Sequence, residues 1–145
     1  MEDITQLEKN ILRGDLDQAV EQLISFPFKR IAEIILPMAF GHDSMAFYGL
    51  AAKLIAKYPS AESSYFAAEL LTTALSHLHG AYPLALHHAR QAIAHAPNDL
   101  TYQEFLLLFH QIPEPLIDQE EAQAIAHRLL AADPDHQTAK RVVDG

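Results

Sequence analysis

The chain contains no cysteine. That absence excludes disulfides, cysteine nucleophiles and thiolate metal sites, and it fits a reducing compartment. Glycine is scarce, at five residues in 145, and no segment shows the period-two alternation of a half-buried strand. Long hydrophobic runs are missing too. The longest, residues 31–40, is broken by Glu33 and Pro37 and falls far short of the ~20 residues of a membrane span. The N-terminal stretch has neither a basic region nor an apolar one, so no signal peptide is expected and the expected location is cytoplasmic. Basic residues are nearly absent from one long stretch. Residues 58–139 hold ten acids against only Arg90 and Arg128, within a chain of net charge −9. Phosphate binding needs clustered Lys and Arg, so nucleic acid is not an expected partner. Such a field instead attracts a basic partner and speeds its association.

What is present favours helix. Half of the residues are hydrophobic and one fifth are charged, which suits a single folded domain with a sizeable core. Proline and glycine punctuate segments with helical periodicity. Leu16, Ala19, Val20 and Leu23, for example, form one apolar stripe. The punctuation predicts about nine helices, near residues 2–13, 15–25, 28–40, 43–58, 61–79, 83–96, 100–111, 119–133 and 135–143. Pro37 is expected to kink or stop the third. The expected fold is all-α, one domain over 1–145, with less regular N-terminal helices over 1–43 and repeat-like helix pairs over 44–143.

The repeat is visible as fixed offsets. Pro59, Pro97 and Pro134 each close a helix, 38 and 37 residues apart. Eight residues before each stands Ala51, Ala89 or Ala126, and twelve before stands Phe47, Ala85 or Ala122. Leu54, Ala92 and Leu129 stand five before, with Ile55, Ile93 and Leu130 next to them. Small residues on one face let helix axes approach closely. Self-similarity at this period points to stacked helix pairs.

The best unit sets Gly80, Tyr82, Ala85, Ala89, Ala92 and Pro97 at the spacings of a tetratricopeptide (TPR) second helix, and the segment resembles that family. Ala122, Ala126, Leu129 and Pro134 resemble it too, and Gly14 to Ala19 echoes the Gly80 to Ala85 spacing. The likeness covers most of residues 44–143. The family's first-helix signature is replaced, by Tyr65, Ala68-Glu69 and Thr72 in one unit and by Gln103, Leu106-Leu107 and His110 in the next. The resemblance implies a short α-solenoid of antiparallel pairs whose first helices line a groove. It places Ser63, Phe66, Leu70, Thr73, Thr101, Glu104, Leu108 and Gln111 there. The family's best-known ligand, an acidic chaperone tail, needs basic groove residues that are absent here.

Chemistry-bearing motifs are few. Nine histidines are present, eight of them between His77 and His136, and they are expected on solvent faces. No H-E-x-x-H occurs, and no metal or other cofactor is expected. Histidine titrates near neutrality, so mild acid would cancel much of the negative charge over 58–139. No phosphate loop or G-x-S-x-G occurs, and Glu120, Glu121, Asp133 and Asp135 suit helix starts, so an enzyme is not expected. The loop over 111–118 carries Ile112, Leu116 and Ile117 beside two prolines, as a contact surface or as a staple for the next helix.

The functional expectation is a non-enzymatic protein-binding module. Partner contacts are expected from Phe66, Leu70, Thr73, Glu104, Leu108, Glu114, Asp118, Glu120 and Glu121. The partner would be basic or present an amphipathic helix. A bacterial toxin-immunity protein is the sharpest form of this expectation. A secretion-type chaperone and a self-associating homodimer are the alternatives.

Overall fold

The computed structural model describes residues 4–145, and the described part consists of helices and the turns and loops that join them, without a strand. Its ten helical segments are α1 (Ile4–Arg13), α2 (Leu16–Leu23), α3 (Phe28–Phe40), α4 (Ala46–Lys57), α5 (Ala61–Thr72), α6 (Ala81–His95), α7 (Leu100–Leu106), α8 (Leu108–Gln111), α9 (Gln119–Ala132) and α10 (Gln137–Asp144). The expected start of the first helix at Glu2 lies outside the described residues.

Local chemistry sets most of these boundaries. The Ser60 hydroxyl accepts from the Ser63 N–H while the Ser63 hydroxyl accepts from the Ser60 N–H, a reciprocal cap that starts α5. Asp99 and Asp118 cap α7 and α9 by accepting backbone N–H bonds at 3.0 and 2.8 Å. Gly14 and Gly80 have φ of 82° and 81°, a left-handed geometry that costs a side-chain-bearing residue, and each turns the chain from one helix into the next.

Two helices, the fifth and the seventh, differ from the sequence expectation, while the third keeps its expected span. Pro37 does not stop α3, which runs on to Phe40. Proline has no N–H to bond the Glu33 carbonyl four residues back. Glu33 and Pro37 are both exposed, so that carbonyl lies at the open face of the helix. The expected long fifth helix ends at Thr72. Thr72 and Thr73 hydroxyls donate back to the Ala68 and Glu69 carbonyls at 3.0 and 2.6 Å, competing for helix acceptors. Residues 73–80 then form successive tight turns that keep Ala74 and Leu75 buried. The expected seventh helix is divided at Leu107. Leu107 N–H bonds Glu104 and His110 N–H bonds Leu107, three residues back in each case, and this tightening lets the adjacent Leu106 and Leu107 both enter the core.

Packing follows chain order from α4 onward, whereas the N-terminal helices skip neighbours. α1 and α2 lie together against α4, α3 lies against α5, and α5 packs most extensively on α6. The α6 helix meets α7, α7 meets α9, and α10 covers α9. One hydrophobic cluster runs from Leu7 to Val142, so the N-terminal helices share the core of the rest. The inward repeat positions are buried in all three units: Phe47, Ala85 and Ala122; Ala51, Ala89 and Ala126; Leu54, Ala92 and Leu129. Gly49 gives α4 a similar close approach to α2, since a Cβ there would meet Leu16 Cδ1 at 2.8 Å. No helix among the described residues is long and apolar enough to cross a membrane.

Candidate functional site

The α3, α5 and α7 helices form the walls of a groove of about 520 Å³. Its floor is apolar. Phe28, Ala32 and Leu36 come from α3, and Tyr65 and the buried Phe66 come from α5. Tyr102 of α7 closes one side. The rings stack along the wall: Phe28 and Phe66 centroids are 6.4 Å apart, Tyr65 and Tyr102 are 5.3 Å apart edge to face, and Tyr65 meets Phe105 at 5.1 Å. Aromatic groups held this way offer large apolar area at little entropic cost on binding.

The groove edge is charged. Glu33, Glu62 and Lys29 are exposed, and Glu69 is half-buried. Three carboxylates therefore face one ammonium. Burial raises the Glu69 carboxyl above its ordinary range. Burial also raises the Tyr65 phenol, with the Glu69 charge adding to the effect. Among the described residues nothing donates a hydrogen bond to the Glu69 carboxylate or pairs with it.

The residues singled out from sequence are placed differently from one another. Phe66 reaches the groove floor. Leu70 and Ser63 are fully buried in the core, Ser63 being held by its cap. Thr73 is exposed at the end of α5 with its hydroxyl bonded to Glu69 O. Glu104 is exposed and pairs with His136 at 3.0 Å. Thr101 and Gln111 are exposed, and Leu108 packs against the core. Asp118 caps α9. Glu121 makes a two-bond ion pair with Arg90, at 2.7 and 3.1 Å. Glu114 and Glu120 are exposed, 114 on a second cleft and 120 in the first turn of α9.

Family spacing turned the α5 face by about one residue. The face that opens to the groove is Glu62, Tyr65, Phe66 and Glu69, spaced i, i+3, i+4, i+7. That acid–aromatic stripe is legible in the sequence. The α3 contribution is harder to read, because an apolar run around a proline shows no clear polar face.

The histidines also divide. His77, His79, His87, His95 and His127 are exposed, as expected. His88 is 8% exposed, and its Nε2 lies 2.8 Å from the Tyr48 hydroxyl of α4. Desolvation, and then the neighbouring His87, lower its pKa. His42 pairs with Glu8 and His77 with Asp43, tying the α3–α4 connection to α1 and to the α5–α6 connection. Among the described residues no three His, Asp or Glu groups are placed to hold a metal ion. In the loop over 111–118, Ile117 is buried directly before the Asp118 cap, in the position of a staple, while Ile112 and Leu116 line the second cleft with Leu78 and Tyr82.

Compared with known proteins, the chain matches no family model, no curated protein and no solved structure.

Proposed function

We propose that this chain is a TPR-like helical-repeat binding protein, without enzymatic activity of its own, whose α3–α5–α7 groove takes a basic amphipathic helix of another protein. The single observation that carries the reading is the groove's make-up, an aromatic and aliphatic floor under an edge of Glu33, Glu62 and Glu69. An amphipathic helix bearing Lys or Arg beside its apolar stripe is complementary to both parts. A volume of about 520 Å³ takes a few side chains, so the ligand lies across the groove and inserts one face.

The charge of the whole chain supports a basic partner. Its −9 steers association, and the apolar floor supplies the affinity. A toxin-immunity protein acting on a basic toxin is the form of this reading that the charge favours. A chaperone holding a client's amphipathic helix is the form that the apolar floor favours. Salt separates the two, because steering is screened and apolar contact is not.

Affinity capture with the tagged protein at low and high salt tests the proposal, run beside an Ala32→Arg variant that fills the groove and weakens its negative charge. The expected result is one stoichiometric partner that the variant fails to retain, and whose basic amphipathic segment binds the wild type as an isolated peptide. A partner held equally by both proteins would place the contact elsewhere. Concentration-dependent mass in light scattering, abolished by the same variant, would make the occupant a second copy.

A further inference from the structure

We infer that the groove anchors its partner through one arginine, whose guanidinium stacks against the Tyr65 and Tyr102 rings and pairs with the Glu69 carboxylate. This rests on the groove reading above and specifies which side chain the groove selects. Glu69 has lost part of its water to the groove wall and, among the described residues, has gained no partner in return. A carboxylate desolvated without compensation is unfavourable, and a cation brought by a ligand restores the balance. The aromatic side of the site is adjacent. Tyr65 stands one helical turn before Glu69, and its ring contacts Tyr102 at 5.3 Å. Glu62 lies in the same groove as a further source of negative field. Lys29, the groove's own cation, is exposed at the edge and makes no ion pair with Glu69.

Arginine fits this combination better than lysine. Its guanidinium is planar and weakly hydrated, stacks on aromatic faces and presents a fork to a carboxylate. An ammonium holds its water more tightly and has no face to stack. A neutral apolar side chain would fill the floor but leave Glu69 unpaired.

The test uses a helical host peptide with a Leu and Ala face and one central arginine, compared with the same peptide carrying citrulline, lysine or trimethyllysine there. Calorimetric titration reads each against wild type, Glu69→Gln and Tyr65→Leu. The arginine peptide should bind wild type about tenfold more tightly than the citrulline peptide, the size of a charge-assisted contact. In Glu69→Gln that gap should close to about twofold, as a neutral amide gives only an ordinary hydrogen bond. Tyr65→Leu should remove the preference of arginine over lysine. Affinity for the arginine peptide should fall on acidification at a pH above the ordinary glutamate range, because burial raises the Glu69 carboxyl. Peptides that bind with equal strength whatever the central residue overturn the arginine assignment and leave the groove reading standing. A trimethyllysine peptide that binds best also overturns it, in favour of a purely aromatic cage. Binding by none of the peptides overturns both. The citrulline comparison needs no protein variant, so it decides the matter even if Glu69→Gln or Tyr65→Leu fails to fold.

Discussion

His88 shows how a single side chain couples the fold to solution conditions. It is buried between α4 and α6, bonded to Tyr48, and burial lowers its pKa. The unfolded chain therefore binds a proton more readily than the folded one. The sign follows: stability is full above the ordinary histidine pKa of ~6.5 and is lost as pH falls through the lower folded value. Urea denaturation at pH 7.5 and 5.5 should show a wild-type loss in mild acid that is smaller in His88→Gln. An equal loss in both would assign the effect to other groups. Composition could not separate His88 from the other eight histidines, because burial depends on which face of α6 meets α4. The clue was present, since His88 directly precedes the small inward residue Ala89. Ser60 is a second residue whose role is local: its hydroxyl starts α5, and Ser60→Ala should cost about 1 kcal/mol, read from the urea midpoint.

Among the elements, the helices that end in Pro59, Pro97 and Pro134 were the most legible. Their small and aliphatic positions recur at fixed distances from each proline; the structure buries those twelve, eight and five residues before it, and packs Ile55, Ile93 and Leu130 against the core half-buried. Alanine there sets how closely the helices approach. Ala89→Leu should therefore destabilise by overpacking, by about 1–3 kcal/mol or more, while Ala94→Leu on the exposed side of the same helix should be near neutral. Equal effects of the two substitutions on the denaturation midpoint would argue against close packing at Ala89. The preceding helices were less legible. In α5 the Thr72-Thr73 pair turns its hydroxyls onto the helix's own carbonyls, a local competition that an apolar run reaching to Leu78 conceals. In α3 the missing Pro37 hydrogen bond is tolerated because it falls on the open side. Periodicity reports which residues want burial, but not which backbone bonds can be spared.

For the molecule as a whole, charge and groove act at different ranges. The acidic field reaches about a Debye length of ~8 Å at physiological salt, so it governs encounter, while the aromatic floor acts only on contact. Raising salt should slow association with a basic partner more than it speeds dissociation, a split that stopped-flow mixing can read. The acidity was plain in the sequence, yet several acids named there are engaged internally: Glu121 by Arg90, Glu104 by His136 and Asp118 by the start of α9. The groove itself was only partly foreseen. Phe66 belongs to it, but its other wall comes from α3, whose partner in space, α5, no local pattern names.

The most direct test of the central claim is a nuclear magnetic resonance titration of the labelled protein with the basic amphipathic host helix. Shift changes are expected only in the groove, at Ala32, Glu62, Tyr65, Glu69 and Tyr102, and none in Ala32→Arg. Shifts centred on the second cleft at Tyr82 and Ile112, or no shifts at saturating peptide, would contradict it.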